Sequence, residues 1–380
     1  MISADPSRPI IDLVVIQASP FCNIDCRYCY LASRSVRTVM SEATLAKIYE
    51  RVFASPFLGQ SLQNLWHAGE PLAVPLEFYE RAIELEREHN RQGVRVEHVF
   101  QTNGTLIDER WCEFFRAHNV RVGLSLDGPQ HLHDANRVSR SGRGTFASTM
   151  RGLALLKKHD IPIHLLAVLT SQSLDAPDAI WDFFHSLGCA SWSFNIEETE
   201  GVHAESSVGQ PGDTRRYQHF FRRLRERRQA AGANIRIREL DTMAERVRYG
   251  GEGMTSKLTR PLAILNFDCG GNISTFSPEL LGDARRGGFA FGKVFECDIE
   301  ELLNREALRA AAGEIASGVE KCRASCPYFS VCGGGDPANK LAEHGTFDVA
   351  ETTHCRLTIQ ALCDVVLNGV ERELGLAPAG

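Results

Sequence analysis

Three cysteines near the start of the chain have a spacing that suits metal chemistry. Cys22, Cys26 and Cys29 stand in the run S-P-F-C-N-I-D-C-R-Y-C-Y, a C-x3-C-x2-C pattern that follows the apolar stretch 10–16. Three thiolates hold three corners of a four-iron cluster and leave the fourth iron open to an outside ligand. A structural zinc site would need a fourth protein ligand, and no Cys or His follows within the next thirty residues. The spacing therefore favours an iron–sulfur cluster with an open position.

Six strand-like runs alternate with helical patterns in the N-terminal half, in units of about 30 residues. This alternation predicts an α/β fold, a partial (β/α)6 TIM-like barrel of parallel strands. Catalytic side chains of such barrels lie at the C-terminal strand ends. The predicted strands span 13–18, 62–67, 96–102, 120–126, 163–170 and 191–196, and the predicted helices begin near Ser41, Pro75, Asp108, Thr145, Ala176 and Asp213.

The cysteine triplet behind a first barrel strand resembles the radical S-adenosylmethionine (SAM) superfamily. The resemblance implies a 4Fe-4S cluster whose open iron binds SAM and a barrel that positions the radical chemistry of these cofactors. After the second strand, H-A-G-E-P resembles the GGEP element of that superfamily, in which a carboxylate and an open backbone receive the SAM ammonium. Ala68 replaces the first glycine of the element.

Further polar motifs follow the next strands, namely Q-T-N-G at 101–104 and S-L-D-G-P at 125–129. Taken singly, N-G and D-G are turn signals. At consecutive strand ends behind the triplet they predict hydrogen bonds to the ribose or the sulfonium end of SAM. The arginines of the following loop either pair with the SAM carboxylate or are solvated charges, and the sequence favours neither interpretation. The residues assigned to SAM are Tyr28, Gly69, Glu70, Pro71, Asn103, Ser125, Asp127, Arg137, Arg140 and Val168.

Length and composition exclude several other classes. The 380 residues exceed one six-unit barrel, so we expect a barrel at 1–235, a bridging region at 236–265 and a second domain at 266–380. Because no long apolar run occurs and the net charge is -6, we expect a cytoplasmic protein without membrane or nucleic-acid partners. The basic run Arg215–Arg228 is interpreted as a solvated helix face, with docking of an acidic peptide leader as the alternative. Twelve cysteines in such a chain indicate metal ligation, although Cys112, Cys189 and Cys363 lie in apolar surroundings typical of a core.

A second group of cysteines resembles the SPASM extension of radical SAM peptide-modifying enzymes, which supports one or two auxiliary 4Fe-4S clusters. By that resemblance one set of four thiolates is complete and another holds only two, because Asp336 stands where a seventh cysteine belongs. Asp336 either ligates iron, leaves an open iron facing the substrate, or only caps a glycine turn beside an absent cluster. The complete set is Cys322, Cys326, Cys332 and Cys355, and the incomplete set is Cys269 and Cys297.

Over nearly the whole chain, segments such as F-N-I-E-E-T-E-G and C-G-G-G-D-P-A-N-K resemble cyclophane-forming radical SAM/SPASM peptide maturases of the GrrM/OscB type. The implied substrate is a ribosomal precursor peptide, crosslinked between a side-chain Cβ and an aromatic ring carbon. The implied electron source is an external donor such as flavodoxin or ferredoxin. Asp336, Glu197 and Glu198 are the candidates for the group that accepts the proton.

Two other interpretations stay open. The nearer is another SPASM enzyme, either a thioether-forming maturase or a sulfatase-maturing formylglycine oxidase, although the incomplete first cysteine set argues against the sulfatase-maturing type. The more distant is a non-enzymatic zinc-binding interaction protein, which leaves the N-terminal triplet unexplained.

Overall fold

The strands of a computed structural model, which describes residues 9–251 and 253–376, join into one sheet with the order β10-β9-β8-β1-β2-β3-β4-β5-β6-β7. From β8 through β1 to β7 all neighbours are parallel, whereas β9 and β10 are added antiparallel at one edge. The strands are β1 (Ile11–Ile16), β2 (Leu58–Trp66), β3 (Arg95–Thr102), β4 (Arg121–Ser125), β5 (Ile163–Leu169), β6 (Ser191–Ile196), β7 (Arg236–Ile237), β8 (Ile264–Phe267), β9 (Asn272–Thr275) and β10 (Gly292–Lys293).

Helices connect these strands and form the C-terminal part of the chain. They are α1 (Glu42–Ala54), α2 (Leu76–His89), α3 (Glu109–Ala117), α4 (Gln130–Asn136), α5 (Phe146–Lys158), α6 (Ser171–Leu174), α7 (Pro177–Ser186), α8 (Asp213–Ala230), α9 (Arg238–Tyr249), α10 (Glu306–Ser325), α11 (Phe329–Cys332), α12 (Pro337–His344), α13 (Thr353–Cys355) and α14 (Leu362–Glu373). A π-helical segment, Arg356–Ala361, joins α13 to α14. Short 3-10 turns lie at Pro71–Ala73, Lys257–Thr259, Pro278–Leu280, Arg285–Gly287 and Glu300–Asn304.

The expected partial barrel is confirmed, with each of the six predicted strands present and shifted by only a few residues at its ends. Local chemistry explains why the helices begin where the sequence predicts. The Ser41 hydroxyl accepts from Thr44 N at 3.1 Å before α1, and the Asp108 carboxylate accepts from Trp111 N at 3.0 Å before α3. Each N-cap satisfies a backbone N–H that the first helical turn leaves without a partner.

Between the sheet and its helices lies an apolar core in which aromatic rings pack edge to face. Trp66 of β2 lies against Tyr79 of α2 with centroids 4.9 Å apart, and Tyr79 contacts Phe100 of β3 at 4.8 Å. Cys112 and Cys363 are also buried among hydrophobic side chains, as is Cys189, so the prediction that these three belong to the core is confirmed.

The C-terminal part of the chain extends the barrel sheet. β8 pairs with β1 in parallel, and β7 and α9 lie within the region 236–265 that the sequence assigned to a bridge. This pairing brings the residues after β8 to the same sheet edge as the cysteine triplet after β1, because parallel strands end at one edge. In the described part of the chain, no helix has the length and hydropathy needed to cross a membrane.

Candidate active site

The loop that carries Cys22, Cys26 and Cys29 follows β1 and is held in place by backbone hydrogen bonds to the segment 136–140. Asp25 N donates to Val138 O at 2.7 Å, and Arg27 N donates to Asn136 O at 3.0 Å. These bonds fix the loop over the C-terminal strand ends, where the sequence predicts the chemistry.

The three thiols of this loop lie close enough to influence one another. Burial raises the pKa of Cys22 and of Cys26 to about 12, with the neighbouring thiols adding to the effect, and burial also raises the pKa of Cys29. Two donors face the sulfur atoms: Asn103 Nδ2 lies 3.8 Å from Cys22 Sγ, and Arg137 Nη1 lies 4.0 Å from Cys26 Sγ. N–H donors toward buried sulfur stabilise thiolates, so this loop fits a bound iron–sulfur cluster.

No three His, Cys, Asp or Glu side chains within residues 9–251 and 253–376 converge on a point that would hold a single metal ion. Four thiolates around one zinc ion lie about 3.8 Å apart, given the Zn–S distance of about 2.3 Å. A four-iron cluster places metal and sulfide between its ligands and spaces them more widely.

Glu70 occupies a buried position beside the triplet. Its carboxylate accepts from Leu72 N at 3.0 Å, from Thr102 Oγ1 at 2.6 Å and from Asn103 N at 2.8 Å. Burial raises the pKa of Glu70 to about 7 despite these donors. The carboxylate therefore ties the end of β3 to the H-A-G-E-P turn, and Pro71 begins the 3-10 turn that follows.

Gly69 makes the tight approach of this turn to the cysteine loop possible. Its φ is +143°, and a Cβ added there would lie 2.1 Å from Ser19 O. Because such a φ is strained for any other residue, glycine is required on both grounds. Glu70 N continues the contact by donating to Phe21 O at 2.8 Å.

Asp127 is the centre of a buried polar network that crosses three elements. Its carboxylate accepts from Tyr28 Oη at 2.5 Å and from Val168 N at 3.0 Å, and Arg137 Nε lies 3.1 Å from it. The Arg137 guanidinium also lies over the Tyr28 ring. These residues therefore connect β4 and β5 to the loop of the triplet.

The remaining residues assigned to SAM have protein partners of their own. Ser125 Oγ accepts from Gln101 Nε2 at 2.9 Å, and the Asn103 side chain donates to Asn23 Oδ1 at 2.8 Å. Arg140 donates to Cys22 O at 2.6 Å and to the Arg34 carbonyl. Arg140 thus supports the cysteine loop directly, a role that its sequence context did not suggest.

In the C-terminal part of the chain, four cysteines line one small cavity, together with Phe329 and Ile359. Gly335 N donates to Cys332 Sγ at 3.2 Å, and Lys340 Nζ lies 3.5 Å from Cys322 Sγ. Convergent thiols, an apolar wall and N–H donors fit a four-thiolate cluster. The four are Cys322, Cys326, Cys332 and Cys355, the set that the resemblance treated as complete.

The incomplete set has different surroundings. Cys269 lines a cleft at the sheet edge, whereas Cys297 is buried in the core with its Sγ 3.6 Å from Lys293 O. Asp336 caps α12, where its carboxylate accepts from Ala338 N at 2.8 Å. Iron ligation by Asp336 stays a prediction.

A cluster of carboxylates, of which Glu200 is buried and the others are half-buried, lies where the end of β6 meets α12 and α13. Glu198 pairs with His354 Nδ1 at 3.1 Å, and Asn339 Nδ2 donates to Glu198 and, at 3.1 Å, to Glu200 Oε1. Although burial opposes both charges, the pair raises the pKa of His354 to about 9 and lowers that of Glu198.

The other carboxylates of this cluster are pushed toward protonation. Burial, followed by the Glu279 carboxylate, raises the pKa of Asp336 to about 7. Burial and the Glu198 charge raise the pKa of Glu200 well above its ordinary value, and burial raises that of Glu279. Sequence reasoning named Asp336 and Glu198 but missed Glu200, Glu279 and His354. The E-E-T-E run was the available signal for Glu200.

Glu197, the third predicted proton acceptor, is engaged by its own loop. Its carboxylate lies 3.1 Å from His203 Nε2 and accepts from Ser207 N at 3.0 Å. These contacts indicate that Glu197 orders the loop after β6.

A cleft of about 390 Å³ opens between the cysteine loop and the segment that follows β8. Pro20, Tyr30 and Val36 line one side, and Cys269 and Glu279 line the other. Glu279 connects this cleft to the carboxylate cluster.

The basic run on α8 is largely neutralised by neighbouring helices. Three of its arginines form ion pairs with aspartates near or on α7, namely Arg216 with Asp175, Arg223 with Asp178 and Arg227 with Asp182. Two more pair with other helices, namely Arg225 with Glu373 and Arg228 with Asp241. These ion pairs favour the interpretation as a solvated helix face.

Residues 16–184 match the family model of the Radical SAM superfamily. The chain is also 41% identical over 372 residues to an uncharacterized protein of Synechocystis sp., covering 96% of this chain and 94% of that protein. This chain belongs to the radical SAM superfamily. It is therefore an enzyme whose cofactors are SAM and 4Fe-4S clusters, for which the loop of Cys22 and the four-cysteine cavity supply fitting sites.

Two further relatives match over a shorter length. The chain is 38% identical over 174 residues to the serine-type anaerobic sulfatase-maturating enzyme of Bacteroides thetaiotaomicron. This match covers 44% of this chain and 42% of that enzyme. It is 35% identical over 182 residues to the cysteine-type enzyme of Clostridium perfringens, 46% and 49% of the two chains. The chain thus matches about half the length of these enzymes.

Solved structures share the fold over more of the chain. The structure of anSMEcpe with bound AdoMet and the Kp18Cys peptide has a TM-score of 0.80 at 23% identity, covering 97% of this chain and 100% of that chain. Streptococcus suis SuiB bound to the precursor peptide SuiA has a TM-score of 0.64 at 17% identity, covering 91% and 76%. At these identities the likeness extends to the radical SAM fold with its C-terminal extension.

Proposed function

We propose that this radical SAM enzyme modifies a ribosomally made precursor peptide and forms a carbon–carbon crosslink between an aromatic ring and a side-chain Cβ of a nearby residue. One observation carries the proposal. Carboxylates from the end of β6, from α12 and from the segment after β9 meet beside the cleft that Glu279 lines. Two proteins of similar fold were crystallised with peptides, SuiA and Kp18Cys, which supports a peptide as the occupant of this cleft.

When bound, SAM and its cluster supply a 5'-deoxyadenosyl radical that abstracts a hydrogen atom from the peptide. The chain holds the triplet loop through the segment 136–140, including Arg140. In the proposed site the Glu70 carboxylate, held by Asn103 N, receives the SAM ammonium. Tyr28, Gly69, Pro71, Asn103, Ser125, Asp127, Arg137 and Val168 complete the proposed SAM site.

Ring closure places a demand on the protein. After the Cβ bonds to the ring carbon, the ring must lose one electron and one proton to become aromatic again, so the product is two hydrogen atoms lighter. Asp336 has a pKa of about 7, close to the value that suits a proton acceptor at neutral pH. Glu198 and His354 stay charged as a pair and hold the position of Asn339, so we assign proton acceptance to Asp336.

The test co-expresses this chain with a candidate precursor, taken from any short reading frame found beside its gene. The expected product has lost two hydrogen atoms per ring and gives no backbone fragments within the crosslinked motif in tandem mass spectrometry. The proposal would be contradicted if the co-expressed peptide kept its mass while the enzyme purified from the same cells cleaved SAM.

A second candidate function is oxidation of a Ser or Cys side chain to an aldehyde, favoured by the 38% identity to the serine-type sulfatase-maturating enzyme. Serine oxidation also removes two hydrogen atoms, so mass alone does not separate the two reactions. An aldehyde reacts with a hydrazide probe, whereas a crosslinked ring does not. Labelling by the probe selects sulfatase-type maturation.

The role of Asp336 is tested with Asp336→Asn, which retains an oxygen to cap α12. We expect crosslinked product to fall by about 10²-fold or more, because general base catalysis contributes about 10²–10⁴-fold. SAM cleavage should continue without crosslinking. Glu320→Gln, an exposed acid on α10, serves as the control. Full crosslinking by Asp336→Asn would exclude this role.

A further inference from the structure

Lys340, near the end of the C-G-G-G-D-P-A-N-K segment, is buried with only 3% of its surface exposed. Its Nζ lies 3.5 Å from the Sγ of Cys322, one of the four cysteines that line the C-terminal cavity. A buried ammonium is costly unless an anion compensates its charge. Cys322 is the partner that the structure supplies.

Two glycines lie close to the Lys340 side chain. A Cβ added at Gly318 on α10 would lie 3.2 Å from Lys340 Nζ, and one at Gly335 would lie 3.5 Å from Lys340 Cε. Two glycines thus border the path of the side chain from α12 to Cys322.

Two other cations near cysteines have their charges neutralised by carboxylates. Arg137, beside Cys26, pairs with Asp127, and Lys321, adjacent to Cys322 in sequence, pairs with Asp348 at 2.8 Å. Among the ion pairs formed within residues 9–251 and 253–376, none includes Lys340. The Asp348 carboxylate attracts the Lys340 ammonium only at longer range.

We propose that Lys340 is a positioning residue that raises the reduction potential of the auxiliary cluster held by Cys322, Cys326, Cys332 and Cys355. A cluster with four thiolates carries net negative charge, and reduction by one electron adds another negative charge. A fixed cation at one ligand sulfur stabilises the reduced form more than the oxidised form. This inference rests on the proposed function for its use, since the ring must pass one electron to an acceptor during crosslinking.

The experiment measures the midpoint potential of this cluster by redox titration followed with electron paramagnetic resonance. The full chain carries Cys22→Ala, Cys26→Ala and Cys29→Ala, so that the signal comes from the C-terminal part alone. We expect Lys340→Met to weaken reduction at least tenfold, which is about 59 mV toward negative potential for a one-electron couple. Lys340→Arg, which keeps the charge, should stay closer to the parent.

Lys321→Met is the matched control, because it removes the same charge one residue from Cys322 at a side chain that is 52% exposed. Solvent screens such a charge, so the shift should be much smaller than in Lys340→Met. Equal potentials for Lys340→Met and its parent would overturn the proposal. If Lys340→Met loses iron, Lys340→Gln replaces it, and an unchanged potential in that variant has the same meaning.

The titration needs no peptide, so its outcome is separate from that of the proposed function. If the parent chain holds no iron in its C-terminal part, the inference has no basis, whichever peptide product is found. Failure to crosslink any peptide, with a potential that depends on Lys340, would contradict the proposed function alone.

Discussion

Replacing Gly69 by alanine tests how the H-A-G-E-P turn supports the cysteine triplet. Gly69 has φ +143°, and the new Cβ would lie 2.1 Å from Ser19 O and 3.1 Å from Phe21 O. Real contacts of Cβ are essentially never below 3.0 Å, so the two segments must separate by about 1 Å. The strained backbone adds about 1–3 kcal/mol to the cost.

The displaced atoms are those that matter for SAM. Phe21 precedes Cys22 and accepts from Glu70 N, so separating the segments moves the triplet loop away from the Glu70 carboxylate. A misplacement of about 1 Å reduces catalysis by about 10²-fold. We therefore expect SAM cleavage by Gly69→Ala to fall by about 10²-fold, together with a lower thermal midpoint.

Gly93→Ala is the matched control. Gly93 also has a positive φ, +66°, but a Cβ added there meets nothing within 4 Å. It introduces the milder strain of the left-handed helical region without the collision. Both variants are assayed for 5'-deoxyadenosine formation after anaerobic reconstitution, with iron content and thermal midpoint measured on the same samples. If Gly69→Ala matches Gly93→Ala in all three, the reasoning about the collision is wrong.

Two further variants test other parts of the molecule. Replacing Cys22, Cys26 and Cys29 together by Ala should abolish SAM cleavage and leave the C-terminal iron, and retained cleavage would refute the assignment of the triplet. Burial lowers the pKa of His164 from 6.5 to about 4, where its ring nitrogens lie 2.7 Å from Ser191 Oγ and Ser193 Oγ. Since the unfolded chain then binds one more proton between these pH values, the folded chain loses stability as the pH falls from about 6.5 to about 4. His164→Gln should lessen that loss by about 1.4 kcal/mol per pH unit, measured as urea midpoints at several pH values, with the exposed His131→Gln as control. An unchanged pH dependence would show that folding does not lower the pKa of His164.

The sequence by itself determined the local features of this protein. The alternation of apolar runs and helical patterns located the six barrel strands, because a strand or helix is specified by residues a few positions apart. Ser41 and Asp108 located helix starts because a cap bonds only within its own first turn. The triplet of Cys22, Cys26 and Cys29 was likewise readable because its three ligands share one loop.

Tertiary structure alone decided which distant side chains meet. Asp336 and Glu198 are 138 positions apart in the numbering, and only the packing of α12 against the end of β6 brings both into the cluster with Glu279. The sequence offered Asp336 as ligand, base or cap with equal ease, because its charge state depends on burial among carboxylates from other elements. The sequence did not single out Lys340, and its contact with Cys322 exists only because the fold brings a side chain of α12 to a cysteine of α10. Burial and long-range charge are properties of the assembled chain, so no local pattern encodes them.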